Sequence, residues 1–224
     1  MKISSFLFAL AFTLLANIAF SIDHYWVGGT GNWSVAANWS TAGSGGAPTV
    51  TVPGAADNVI FDGAGMVATD IVTMDIAVDV LNFDFSAAPA FVLTSALPSI
   101  QVRGSLIGNG AVTFGGWTGD IIMNNNGADQ IVSNGTIWNQ TFRLPANTGT
   151  IQIIDDFITT GDIHSDINAL LFWNVNVTFN NFFSINSAAT RSIDFSGATI
   201  NFEGTIWNIE PTTLTLNSAL STIN

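Results

Sequence analysis

The chain has 224 residues, no cysteine and a formal charge of -12, with charged residues making up only 9% of it. Beyond residue 21 there is no lysine, and the only basic residues besides histidine are Arg103, Arg143 and Arg191. So acidic a surface excludes the phosphate neutralisation that nucleic-acid binding needs, and it is repelled by anionic membranes and polyanionic glycans.

Residues 1–21 read as a signal peptide. Lys2 supplies a short positive start, an apolar run follows from Phe6 to Ala16, and Ala19 and Ser21 are small residues two apart, as a cleavage site requires. That run is too short to cross a bilayer comfortably, and no later stretch is long enough. The mature chain is therefore expected to be exported, extracellular or on the outer cell surface, with no membrane span. Without disulfides it must rest on burial and hydrogen bonding alone, which favours a bacterial exported protein.

Residues 22–63 are rich in Trp and Gly. Trp26, Trp33 and Trp39 lie close together in sequence and admit two readings. Exposed rings stack on sugars, which makes these three the candidate glycan contacts. Buried rings would cap the open first coil of a repeat, since Trp covers more area than most side chains. The cap is the favoured reading.

From 64 to 224 there is no helical periodicity. Short apolar/polar alternations recur instead, as in Ile100 and Val102, in Val175, Val177 and Phe179, in Ile200 and Phe202, and in Leu214 and Leu216. Period two with one apolar face is the mark of a half-buried strand. Turn signals separate the runs: Gly108-Asn109-Gly110, Asn126-Gly127, Asn134-Gly135, Gly161-Asp162 and Ser196-Gly197. Ile76, Val78 and Val80 share one parity, while Leu81, Phe83 and Phe85 share the other. A corner or bulge near Val80 and Leu81 reconciles them. The pentad Gly135-Thr136-Ile137-Trp138-Asn139 recurs 69 residues later, from 135 to 204, as Gly204-Thr205-Ile206-Trp207-Asn208. That offset has room for roughly three solenoid coils.

These features predict an all-β chain folded as a β-solenoid, with a β-sandwich as the alternative. Residues 22–63 would form a cap with the first strands, and 64–224 the repeats. The expected interior includes Val59, Phe61, Leu81, Phe83, Ile100, Val102, Val177, Phe179, Ile193, Phe195, Ile200 and Phe202.

The segment from His24 to Gly63 carries Tyr25-Trp26-Val27-Gly28-Gly29-Thr30-Gly31-Asn32-Trp33-Ser34, then Asn38-Trp39-Ser40, Pro53-Gly54 and Asp57-Asn58-Val59-Ile60-Phe61-Asp62. This resembles the N-terminal start of large cell-surface and adhesin-like proteins of the Bacteroidota, many of them type IX secretion substrates. Gly104-Ser105-Leu106 and the run from Arg191 to Asn201 resemble the later coils of that family. The resemblance implies a right-handed parallel β-helix on the cell surface, continuing in a longer parent protein.

Catalytic readings find little support. Asp155-Asp156 invites comparison with inverting glycoside hydrolases, whose paired carboxylates admit a water between them. However, neighbours on a strand point to opposite faces, and a turn pair is the better reading. A lyase needs a basic proton abstractor, and no constellation surrounds any Arg. His24 and His164 do not make a metal site, and no Gly-x-Ser-x-Gly elbow is present. Calcium is the least implausible ion. Asp70, Asp75, Asp79 and Asp84, and separately Asp162 and Asp166, are spread over two regions without a recognised loop. The expected function is therefore a non-enzymatic scaffold or adhesin module without a cofactor, whose partners are extracellular glycans or surface proteins. A glycan-binding module is the alternative, and a carbohydrate-active β-helix enzyme comes third.

Overall fold

The computed structural model describes residues 21–147, 149–185, 190–210 and 212–224, so the expected signal peptide lies, but for Ser21, outside the described residues. The chain is nearly all-β, with 44% strand and 2% helix, and forms a parallel β-solenoid of about seven turns. Each full turn visits three faces in the same order.

The first face carries Asp23–Trp26, Asn58–Asp62, Phe83–Ala87, Leu106–Ile107, Ala128–Val132, Thr150–Ile153, Ala169–Leu171, Arg191–Asp194 and Leu214–Asn217 as neighbouring parallel strands. The second face is split. Gly31–Asn32, Ile71–Met74, Val92–Ser95 and Thr113–Phe114 form one sheet, and Ile137–Trp138, Phe157–Thr159, Asn176–Phe179, Thr199–Phe202 and Thr222–Ile223 form another. The third face runs from Asp79–Val80 through Ser99–Val102, Asp120–Met123, Phe142–Leu144, Ile163–Ser165 and Phe182–Ser184 to Trp207–Ile209. A sandwich would pair its strands antiparallel, so the parallel ladders decide for the solenoid.

Period two creates this shape because each strand has one inward set of side chains. Val59, Phe83, Leu106 and Ile131 are successive partners on the first face, spaced 24, 23 and 25 residues apart. All four are buried and stack along the axis. Rings fill much of the interior: Phe61 stacks on Phe91 at 5.2 Å and Phe172 on Phe195 at 5.1 Å. An enclosed space lined by Ile131, Phe142, Phe157 and Phe172, among others, measures about 10 Å³. It holds one water at most, so the solenoid is a packed core and not a channel.

Corners come where the sequence changes parity. Asp79–Val80 ends on the third face and Phe83–Ala87 begins on the first, so the hop near Val80 and Leu81 is a true corner. Gly110 shows why corners are glycine-rich. Its φ is 73°, and a Cβ there would lie 2.6 Å from the carbonyl oxygen of Asn134 in the next turn. Both the left-handed backbone and the close approach require glycine.

Ten of the twelve expected interior residues are buried. Leu81 is only half-buried because it sits at the corner itself. Phe202 is half-buried beside the last rungs, where Trp207 and Leu214 are also partly exposed.

Two further expectations are refined by the pairing. Residues 22–63 hold the expected first strands but are not set apart from the repeats, since strand pairing runs on across residue 63. His24 is the direct parallel partner of Val59, so the solenoid register starts at Asp23. The rest of 22–63 contains the first second-face strand and the strand Trp39–Ser40, which turns back antiparallel over Asp23–Trp26. That strand ends the first sheet, covering an edge that would otherwise be open.

The repeated pentad is not a coil equivalence either. Trp138 lies on the second face, and following its partners Thr159, Phe179 and Phe202 leads three turns on to residue 202. Trp207 lies on the third face, in the column of Phe142, Ile163 and Phe182. Three turns here span 64 or 65 residues, so an offset of 69 carries the motif past a corner.

Candidate functional site

The three clustered tryptophans are interior. Trp26, Trp33 and Trp39 are all 0% exposed. Trp39 meets Trp33 at 4.7 Å and Trp26 at 5.0 Å, both edge-on, and Phe61 packs against all three. The indole N–H groups are also used internally: Trp26 donates to the Gly29 carbonyl at 2.8 Å and Trp39 to the Trp33 carbonyl at 2.9 Å. A sugar stacks only on an accessible ring face, and these rings have none. The candidate glycan contact at these positions is therefore corrected in favour of the buried reading: the rings fill the first rungs of the core.

Asp155 and Asp156 form the corner between Thr150–Ile153 and Phe157–Thr159. The Asp155 carboxylate accepts the backbone N–H groups of Ser133 at 2.7 Å and Asn134 at 2.6 Å, in the preceding turn. Asp156 accepts the backbone N–H of Asn176 at 2.9 Å and its side-chain amide at 3.0 Å, in the following turn. The pair thus staples one corner to both neighbours. The Asn176 donors hold the Asp156 carboxyl below the ordinary carboxylate range, against a small opposing effect of burial.

Other acidic side chains act similarly. Asp75 accepts the backbone N–H and hydroxyl of Ser34 at 2.9 and 2.6 Å, and Asp70 accepts the backbone N–H of Val67 at 2.7 Å. Asp84 accepts the Ser86 N–H, and Asp162 accepts from Asn180 and Asn181. Asp79 pairs with Arg103 at 2.7 Å, and Asp120 pairs with Arg143. Among the described residues, no three His, Asp or Glu side chains gather to hold a metal ion.

Arg191 is the buried cation that sequence reasoning passed over. It is 1% exposed, and its guanidinium donates to Ser184 Oγ at 2.9 Å and to the carbonyls of Glu210 and Thr212 at 2.6 and 2.9 Å. Asp166 stands 3.9 Å away. The signal was present in its parity, because Arg191 shares the inward face of its strand with Ile193.

Neither histidine occupies a site. His24 is buried in the first rung, edge-on to Trp39 and 3.6 Å from Asp57. Burial depresses its pKa, and Asp57 and Asp23 only partly offset this. His164 stacks on Phe183 at 4.5 Å, and burial followed by the nearby Arg143 depresses its pKa too.

These directions predict the acid response. The unfolded chain takes up imidazole protons below about pH 6.5, while the folded chain resists. Stability from both histidines is therefore present above that pH and lost as the pH falls towards the folded values. Asp75, Asp156 and Asp194 have lowered pKa values. Their contribution disappears at lower pH, as their folded forms protonate. Urea midpoints measured at about pH 7.5 and about pH 5 should show the first loss. Equal midpoints would reject it.

The outer surface holds a different candidate. A groove of about 440 Å³ follows the corner between the first and second faces, lined by Asn134, Ile154, Asp155, Asp156, Ile158 and Asn174, with Gly135, Thr136 and Val175. Ile154 and Ile158 are 39% and 40% exposed. Ile137, 55% exposed, is the direct parallel partner of Ile158. Trp173 is 44% exposed. It follows Leu171 by two residues as Ile154 follows Leu171's partner Gln152, which places it one rung along from Ile154. Its side chain bonds to Asp194.

Sequence reasoning missed this patch. The available clue was that Ile153-Ile154 and Phe157-Ile158 put apolar residues on both parities, in a chain whose outward positions are often Asn, Thr or Asp. Of each pair, the first residue is buried and the second is exposed. No protein-family model, curated protein or solved structure matches this chain.

Proposed function

We propose that this chain is a non-enzymatic scaffold and adhesin-like module of an exported bacterial surface protein, of the kind its opening motif resembles among the Bacteroidota. The observation that carries the reading is how the Asp155-Asp156 carboxylates are used. Both accept N–H groups of adjacent turns, so they hold the scaffold together. A general acid needs a raised pKa to keep its proton near neutrality, and Asp156 is shifted the opposite way. A packed solenoid with long regular faces suits spacing and adhesion.

Two measurements test this. The purified chain, incubated with neutral and uronate polysaccharides, should release no reducing ends and form no unsaturated product. Cleavage that disappears in Asp155→Asn or Asp156→Asn would show an enzyme. Protease shaving of intact producing cells should remove the chain, whereas protection until lysis would reject a surface location.

A further inference from the structure

The corner groove combines three properties found on different residues. It has apolar walls, Ile154 and Ile158, continued by Ile137 and Trp173. Single exposed apolar residues are ordinary, but four on adjoining rungs form a patch of the kind that marks an interaction surface. It has two carboxylates between those walls, Asp155 and Asp156. Finally, it has no cation of its own: none lines the groove, Arg103 and Arg143 are paired with Asp79 and Asp120, and Arg191 is buried. The N–H donors around Asp155 and Asp156 are neutral, so the negative charge is not cancelled. The chain as a whole adds to it, at -12.

We infer that this groove binds an extended, cationic polypeptide segment, with a Lys or Arg between Asp155 and Asp156 and apolar side chains resting on Ile154, Ile158 and Trp173. Charge complementarity selects the occupant. An anionic ligand is repelled, and a neutral sugar gains nothing from the carboxylate pair as charges. The walls are aliphatic at three of four positions, which matches peptide side chains better than the flat sugar faces that stack on rings. A Lys or Arg reaching Trp173 would add a cation–π contact. From Ile137 to Trp173 the patch covers two rung steps, about 10 Å, which admits three or four extended residues. This inference deepens the adhesive reading by naming a partner class.

The test is calorimetric titration of the full chain with three octapeptides, alternating Lys–Val, Lys–Ser and Glu–Val, and with a neutral β-glucan oligosaccharide. Lys–Val should bind at low salt and weaken as salt rises. The double variant Asp155→Asn/Asp156→Asn and the variant Ile154→Ser/Ile158→Ser should each weaken it about tenfold, with melting curves confirming that both variants fold. Asp84→Asn, on the first face away from the groove, should leave binding unchanged.

Equal binding of Lys–Ser, or equal weakening by Asp84→Asn, would mean general attraction to an acidic chain and would overturn the site. So would binding of Glu–Val, failure of Lys–Val to bind, or binding of the oligosaccharide alone, which would point to glycan instead. Cell shaving fails or succeeds independently of these titrations, so loss of the surface reading and loss of the groove are separate outcomes.

Discussion

Trp39→Ala is expected to cost about 4 kcal/mol, the range for emptying a buried aromatic site. Trp39 is fully buried and touches His24, Trp26, Trp33 and Phe61. Its loss opens a cavity and leaves the Trp33 carbonyl without its indole donor, an unmet group that adds to the cost. It also removes the anchor of the antiparallel strand Trp39–Ser40, which ends the first sheet. Because each turn of a solenoid contacts mainly its neighbours, the damage should be local. Hydrogen exchange should rise in residues 23–62 first, with the rungs beyond Phe142 nearly unchanged. Trp39→Phe should recover part of the loss, since it restores ring volume but not the hydrogen bond. A variant that melts uniformly, or costs less than about 1 kcal/mol, would show that the cluster does not hold the first rungs together.

The second large effect is expected at Arg191. Arg191→Ala should cost about 3 kcal/mol, comparable to breaking a buried charge pair. The guanidinium donates to the buried Ser184 hydroxyl and to the part-buried carbonyls of Glu210 and Thr212, and an acceptor left unmet away from water is costly. Arg191→Met separates volume from hydrogen bonding. It fills most of the space but takes the guanidinium donors away from the Ser184 hydroxyl and the Glu210 carbonyl and leaves the Thr212 carbonyl only its bond from the Thr213 hydroxyl at 2.6 Å, so it should recover only a minor part of the loss. If Arg191→Met is as stable as the parent in urea titration, packing alone explains the residue and the hydrogen bonds contribute nothing. Arg191→Lys should fall between, because an ammonium cannot span all three acceptors at once.

Much of the architecture was legible in the residues. The alternation of Ile100 with Val102 and of Val177 with Phe179 set which side chains face inward, because a strand offers only two faces. The parity change near Leu81 marked a corner for the same reason. Asp155-Asp156 read as a turn pair, and the structure places both carboxylates on corner N–H groups.

What sequence could not decide was everything set by neighbours one turn away, 35 or 41 positions along the chain in the first turn and some 19 to 25 in the later ones. Trp26, Trp33 and Trp39 admitted both a sugar platform and a buried plug, since ring exposure depends on what packs opposite. The repeated pentad suggested equivalent coils, but turn lengths vary from one rung to the next, and the second copy falls on another face. Arg191 had the parity of a core residue, yet only the arrival of Ser184, Glu210 and Thr212 makes burial of a guanidinium tolerable. The groove beside Ile154 and Ile158 is tertiary in the same sense: those two walls flank the carboxylates in one turn, but Ile137 and Trp173 come from the turns on either side, and only stacking about 4.8 Å apart continues the apolar surface across successive rungs.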